Sequence, residues 1–163
     1  MISSDKIYAA LHQVSDPEIP ALSVLDLGMI TDVIINDDVA TVKMIPTYAA
    51  CPATSFIKNH IQSHLTEIFP TNKIKVEVET AIHWNTNMIT EAGKLKLKNF
   101  GIAPPRKHEG MVDAELLSGA ICPHCGSENT ILRTPFGSTL CRAIQFCKNC
   151  NQTFEQFKPF AAE

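Results

Sequence analysis

Cys122-Pro-His-Cys125 and Cys147-Lys-Asn-Cys150 are the stretches that decide the fold of the last third of this chain. In each knuckle the two intervening residues let the chain turn back, so that both sulfurs can reach the same metal ion. The 21 residues between the knuckles suffice for a short hairpin. This spacing predicts a β-rich zinc ribbon over residues 119–163, with four cysteine ligands.

The ribbon segment contains a fifth cysteine, Cys141, which the knuckle spacing leaves over. It follows Phe136-Gly137-Ser138-Thr139, which is typical of a hairpin turn. Cys141 is therefore a buried thiol, a neighbour of the metal site or a labile fifth ligand. Four thiolates close the coordination sphere of zinc, so the predicted metal stabilises structure and performs no chemistry.

Composition describes a globular protein of more than one domain. The chain has 163 residues, of which 45% are hydrophobic and 19% charged, and the ribbon leaves about a hundred residues for a separate core. No apolar run reaches the roughly 20 residues that span a bilayer, and the N-terminus lacks a signal pattern. We expect a cytoplasmic protein without membrane contact, whose thiols stay reduced and available to metal.

The charge distribution counts against binding to nucleic acid. Residues 1–100 carry 8 Lys or Arg and 11 Asp or Glu, and residues 101–163 carry 6 of each. Nucleic-acid binders neutralise phosphates with a basic surface, which neither half provides.

The first hundred residues show the periodicities of a small α+β domain. Val39 to Ile45 follows another β-branched stretch across Asn36-Asp37-Asp38 and predicts a hairpin, and Lys73 to Thr80 alternates like a strand. Apolar residues from Phe56 to Ile68 recur at helical spacing. We expect a three-stranded sheet with helices on one face in residues 1–101, then a Pro- and Gly-rich linker over 102–118.

Cys51 is the candidate chemical residue of this first domain. It precedes Pro52, a favoured first helical residue, so Cys51 would stand at a helix N-terminus, where the thiolate is stabilised. The alternative is a small buried thiol. Asp16, Glu18 and Asp26 surround two nearby turns and could bind a hard metal or act as acid and base, or could only shape those turns.

Three motifs resemble a known family of assembly factors. They are Asp16-Pro17-Glu18-Ile19-Pro20, Val24-Leu25-Asp26-Leu27-Gly28-Met29-Ile30 and Pro46-Thr47-Tyr48-Ala49-Ala50-Cys51-Pro52-Ala53. In order and spacing they resemble the domain of iron–sulfur assembly factors of the SufT type. With Trp84-Asn85-Thr86, Gly101-Ile102-Ala103-Pro104-Pro105 and the ribbon, the whole chain resembles the PaaD family of the phenylacetyl-CoA epoxidase system, which is also called the PaaJ family of phenylacetate-CoA oxygenase.

The resemblance implies an auxiliary, non-catalytic component of that multicomponent monooxygenase in aerobic phenylacetate degradation. Other subunits would be its partners and would hold the di-iron, flavin and iron–sulfur cofactors. This chain would mature or maintain the oxygenase by delivering iron or an iron–sulfur cluster. The family pattern places Cys51 at the centre of that transfer, with Asp16, Glu18, Asp26 and Thr47 as supporting loop residues.

A single thiolate cannot complete the coordination of a cluster, so we expect either a homodimer or a client residue to supply further ligands. Three other functions stay open at this point. The chain could be a structural adaptor that handles no iron, a zinc-ribbon nucleic-acid module, or a cysteine hydrolase with His83 as general base beside Cys51.

Overall fold

A computed structural model describes residues 2–47 and 53–161 of the chain. These residues form two compact units, divided between Trp84 and Asn85. Within the described ranges no helix is both long enough and apolar enough to cross a membrane.

The first unit is a three-stranded sheet with two helices. Its elements are α1 (Ser4–Leu11), β1 (Ile30–Asn36), β2 (Val39–Met44), α2 (Ala53–Ile68) and β3 (Lys73–Val78). The strands lie in the order β1-β2-β3, with β1 and β2 antiparallel and β2 and β3 parallel. The predicted α+β fold and the predicted hairpin are confirmed.

The buried residues of α2 and of the sheet are those that the helical and strand periodicities predict. Val42 on β2 and Val76 on β3 are opposite each other and buried, whereas their pleat neighbours Lys43 and Glu77 face away from that core. The helix α2 buries Ile57, Ile61 and Leu65 along one stripe. Because parallel strands need a long crossover, α2 is the connection that brings β3 beside β2.

Trp84 closes the first unit. It is the only tryptophan of the chain, its side chain is fully buried, and its indole Nε1 donates a hydrogen bond of 2.7 Å to the carbonyl oxygen of Leu27. Trp84 is thus a core residue, and its hydrogen bond connects the end of the unit to the loop before β1. The N–H of a buried tryptophan usually finds such a partner.

The second unit contains a helix and a four-stranded sheet. Its elements are α3 (Glu91–Asn99), β4 (Ile102–Ala103), β5 (Thr130–Thr134), β6 (Arg142–Cys147) and β7 (Thr153–Phe157). The sheet order is β4-β7-β6-β5, in which β5, β6 and β7 are antiparallel and β4 joins β7 in parallel. The hairpin predicted at Phe136 to Thr139 lies between β5 and β6.

Ile102 and Ala103, the first two residues of the predicted linker, are strand residues. Both are buried, and they form β4 beside Glu155 and Gln156 of β7. Thr86 also belongs to the second unit, because its backbone N–H and its hydroxyl both hydrogen-bond to Phe160. The boundary between the two compact units therefore lies before residue 85. The bounds 1–101, 102–118 and 119–163 for separately folding domains stay a prediction.

Candidate functional site

The four knuckle cysteines meet at one point of the second unit. Their sulfurs all lie within 4.8 Å of one another. The Sγ atoms of Cys122 and Cys150 are 3.7 Å apart, and those of Cys125 and Cys147 are 3.5 Å apart. A regular tetrahedron of sulfurs around zinc, at about 2.3 Å from the ion, has edges of about 3.8 Å. The cluster therefore fits one tetrahedral ion.

The two knuckles share a backbone geometry that aims both sulfurs inward. In each, the residue after the second cysteine has a positive φ: 75° at Gly126 and 58° at Asn151. Glycine and asparagine are the residues that adopt this conformation most readily. Each turn is closed by a backbone bond, from Cys122 N–H to Ser127 and from Cys147 N–H to Gln152.

The thiols of the cluster differ in acidity. The backbone N–H of Ser127 and then the Asn149 side chain, 3.6 Å away, lower the pKa of Cys125 to about 6. Burial raises the pKa of Cys150 to about 12. A metal ion that displaces the protons from all four sulfurs removes this difference, so metal binding releases protons and weakens as the pH falls.

The core around the cluster is small. It consists of Ala103, Ala120, Phe154 and the buried ligand cysteines Cys122 and Cys147, with Cys150 packed against it. Further apolar residues of the second unit are buried outside this cluster, among them Leu97, Ile102 and Phe157. The cysteine cluster is therefore one part of the buried interior of this unit.

Cys141 does not belong to the four-sulfur cluster that the described residues form. It lies at the end of the turn between β5 and β6, where its sulfur is 3.0 Å from the hydroxyl of Thr139. The structure thus places Cys141 in the turn, and its expected role as a fifth ligand has no geometric support among these residues.

The same turn is held by a buried ion pair. Arg142 is 8% exposed, and its guanidinium donates to Glu155 Oε2 at 2.8 Å and to the Ser138 hydroxyl at 3.1 Å. Glu155 Oε1 accepts from the Ser138 backbone N–H at 2.8 Å. Burial by itself would raise the pKa of Glu155, but the Ser138 N–H and Arg142 outweigh it, and the pKa lies below its ordinary value of 4.5.

Replacing Glu155 with glutamine should destabilise the second unit by about 1–3 kcal/mol at neutral pH, because Arg142 loses a charged partner. The carboxylate contributes its stability above pH 4.5 and loses it as the pH falls through the lowered pKa. The difference in unfolding free energy between wild type and Glu155→Gln should therefore shrink in acid. Denaturant unfolding across that pH range measures it, with exposed Glu128→Gln as control. A difference that is independent of pH would contradict the assignment.

In the first unit, Asp16 shapes the loop after α1. Its Oδ1 accepts backbone hydrogen bonds of 2.8 Å from both Glu18 and Ile19, and its own N–H donates to Leu22. These bonds form a turn around Pro17, several residues after the end of α1 at Leu11. Glu18 is exposed on this turn.

Asp26 is buried in a reciprocal arrangement with Ser23. Its Oδ2 accepts from the Ser23 N–H at 2.8 Å and from the Ser23 hydroxyl at 2.9 Å, and the hydroxyl oxygen in turn accepts from the Asp26 N–H. The turn continues to Gly28, whose φ is 68°. The sequence left two roles open for Asp16 and Asp26, which were chemistry at a metal or a proton and the shaping of turns. Both carboxylates make the bonds that shape their turns.

Thr47, His83 and Cys51 are the remaining predicted residues, and the structure describes the first two. Thr47 is half-buried, three residues after the end of β2, and His83 is exposed after β3. Cys51 and Pro52 lie outside the described residues, which resume at Ala53, the first residue of α2. The expected helix-capping position of Cys51 and its pairing with His83 stay predictions.

The pairing of Arg142 with Glu155 is the contact that sequence reasoning missed. The two residues are 13 positions apart on different strands, and only the register of β6 against β7 brings them together. The backbone turns of the two knuckles did have a signal in the sequence. Gly126 and Asn151 each follow the second cysteine of a knuckle, and both residue types favour positive φ.

The chain matches two family models in tandem. Residues 4–78 match the model described as iron-sulfur cluster assembly protein. Residues 108–158 match the model described as PaaD zinc beta ribbon domain. The first match covers the sheet and helices of the first unit, and the second includes all four clustered cysteines.

Two solved structures resemble the chain in part. One, a domain of unknown function DUF59 from Bacillus anthracis, is 28% identical with a TM-score of 0.54, and the match covers 57% of this chain and 89% of that one. The other, a conserved hypothetical protein from Thermotoga maritima, is 25% identical with a TM-score of 0.51, and the match covers 61% and 95% of the two chains. Both likenesses support the α+β fold.

One curated protein is similar over nearly the whole length. It is the D component of a "Putative 1,2-phenylacetyl-CoA epoxidase" of Escherichia coli (strain K12), and it is 35% identical over 156 residues, which cover 94% of this chain and 91% of that protein. The similarity therefore extends over both units of this chain in the same order. The chain belongs to the PaaD family of phenylacetyl-CoA epoxidase components.

Proposed function

We propose that this chain is an accessory subunit that matures or maintains a phenylacetyl-CoA epoxidase by delivering iron or an iron–sulfur cluster. The observation that carries the proposal is the joining, in one chain, of an iron–sulfur assembly unit and the ribbon of an epoxidase component. The proposed partners are the other subunits of that epoxidase. The catalytic chemistry belongs to those partners.

The four clustered cysteines hold zinc in this proposal. Support comes from the four sulfurs, which all lie within 4.8 Å of one another, with two separations of 3.5 and 3.7 Å, and so fit a single tetrahedral ion. Four thiolates also leave no open coordination position for a transferred group. The zinc is therefore structural, and the ribbon does not itself carry the iron.

The transferred iron or cluster is held by Cys51. The residue stands two positions before the first residue of α2, where the free N–H groups of a helix favour the thiolate. Asp16 and Asp26 support it indirectly in this proposal, because their carboxylates hold the turns of the family motifs in shape. Since one thiolate is too few for a cluster, a second copy of the chain or a client supplies the other ligands.

Anaerobic reconstitution with iron and sulfide tests the proposal. The wild-type chain should bind iron in addition to zinc, and Cys51→Ser should bind zinc alone. Cys141→Ser is the matched control, because Cys141 lies outside the cluster of four sulfurs, and it should behave like the wild type. Equal binding of iron and sulfide by wild type and Cys51→Ser would reject iron delivery through this residue.

A second measurement separates iron delivery from a purely structural adaptor. Epoxidase activity is recorded after the other subunits are assembled with each variant. Iron delivery predicts that Cys51→Ser fails to restore activity although it still joins the complex. Full activity with Cys51→Ser would favour the adaptor. The metal content of the purified wild-type chain, together with its absorption spectrum, identifies the ion in the four-sulfur site.

A further inference from the structure

The turn between β5 and β6 exposes two large apolar side chains. Phe136 is 67% exposed and Leu140 is 81% exposed. They lie four residues apart on one turn, and we call this pair the turn patch. Neither side chain belongs to the core around the four cysteines, and both residues are mostly open to solvent.

The turn that carries the patch is rigidly built. A Cβ atom on Gly137 would lie 3.0 Å from Cβ of Arg142 and 3.1 Å from Oε1 of Glu155, so a larger residue there would crowd the turn. The Gly137 N–H donates to the Arg142 carbonyl at 2.8 Å, and the ion pair of Arg142 with Glu155 fastens the turn to β7. Phe136 and Leu140 are therefore presented on a preorganised support, which lowers the entropic cost of binding a partner.

The charges around the turn patch are positive. The ammonium of Lys158 lies 5.7 Å from the centre of the Phe136 ring and donates to the Pro135 carbonyl. Arg133, on the strand that enters the turn, is exposed. No acidic residue occurs between residues 129 and 154, and Glu155 is engaged by Arg142. A surface complementary to this turn has an apolar pocket with carboxylates at its rim.

We propose that the turn patch, Phe136 and Leu140, is the docking point for a folded protein partner that offers an acidic-rimmed apolar pocket. This inference rests on the proposed function, in which that partner is another subunit of the epoxidase. Anionic membranes and nucleic acids fit less well, because the chain as a whole carries a net charge of -3 and the Lys158 ammonium beside Phe136 supplies little attraction to them by itself.

Binding of the full-length, zinc-loaded chain to the purified remaining epoxidase subunits tests this assignment. Phe136→Ser combined with Leu140→Ser should raise the dissociation constant at least about tenfold, the effect of removing an apolar anchor. The matched control is Leu95→Ser, because Leu95 is another exposed apolar side chain of the same unit. It should bind like the wild type. Zinc content should be equal in all three proteins.

Gly137→Ala gives a second, independent variant. It leaves both apolar side chains in place but crowds the turn, so it should also weaken binding while zinc content is kept. Unchanged binding of the double serine variant, or equal weakening by Leu95→Ser, would overturn the assignment. So would binding of the wild-type chain to phosphatidylserine vesicles or to RNA that the double variant loses, with no binding to the subunits.

The outcome can be told apart from failure of iron delivery. The double serine variant should still take up iron in the anaerobic reconstitution, and Cys51→Ser should still bind the subunits with wild-type affinity. If the wild-type chain takes up no iron but docks through the turn patch, iron delivery fails and the docking surface stands. If iron is delivered and the patch variants bind normally, the docking surface is rejected and iron delivery stands.

Discussion

Replacing Cys147 with serine should remove the bound metal and unfold the second unit. Cys147 is fully buried, its sulfur lies 3.5 Å from that of Cys125, and it forms part of the core as well as the cluster. Structural zinc contributes roughly 10–16 kcal/mol in small zinc domains, which is as large as the roughly 5–15 kcal/mol by which a typical domain is stable. Metal content should fall from one ion per chain to none, and amide exchange should show the loss of β5, β6 and β7.

Two internal comparisons sharpen this experiment. Cys141→Ser should retain one ion per chain, because its sulfur is not among the four that converge. Fluorescence of Trp84, the only tryptophan, reports on the first unit, where its indole bonds to Leu27. Its emission should stay that of a buried indole in Cys147→Ser. Full metal content in Cys147→Ser, or equal loss in Cys141→Ser, would show that the ligand set is different.

Replacing Asp26 with alanine should lower the unfolding free energy of the first unit by about 2–4 kcal/mol. Asp26 is 3% exposed, and the change leaves the buried N–H and hydroxyl of Ser23 without their charged acceptor. Leu27, which follows directly, carries the carbonyl that binds Trp84. Denaturant unfolding followed by tryptophan fluorescence should therefore report the loss directly.

Comparing different substitutions distinguishes a structural role of the Asp26 carboxylate from a chemical one. Asp26→Asn keeps an acceptor oxygen and should cost less than alanine. Asp38→Asn alters an exposed acid in the β1–β2 turn and should leave stability unchanged. If Asp26→Ala were as stable as the wild type but bound no iron, the carboxylate would act on the metal and would not merely hold the loop.

Much of the fold could be predicted from periodicity and spacing. The alternation of Ile74 and Val76 with Lys75 and Glu77 specifies a strand with one buried face, and the helix α2 follows the spacing of Ile57, Ile61 and Leu65. These patterns reflect local geometry, so they can be read without knowing what the segment packs against. They do not say which strands pair, and the parallel pairing of β2 with β3 came only from the structure.

The candidate site was predictable to different degrees in its two parts. The cysteine ligand set of the ribbon followed from two knuckles whose spacing matches the reach of one ion. The acids were harder, because Asp16 and Asp26 occur in turns where a carboxylate can either bind backbone or remain available. Only the hydrogen bonds to Ile19 and to Ser23 show that both carboxylates shape their turns.

By itself, the sequence determined the order of the two family segments, the elements of the first unit, the convergence of the four knuckle cysteines and the family. The tertiary structure alone decided that Ile102 and Ala103 belong to the ribbon sheet, that Arg142 pairs with Glu155, and that Phe136 and Leu140 remain uncovered. The physical reason is separation along the chain. Spacing within a knuckle or a helix is a local property, whereas a β pairing, an ion pair across strands or an uncovered side chain depends on which distant surfaces meet.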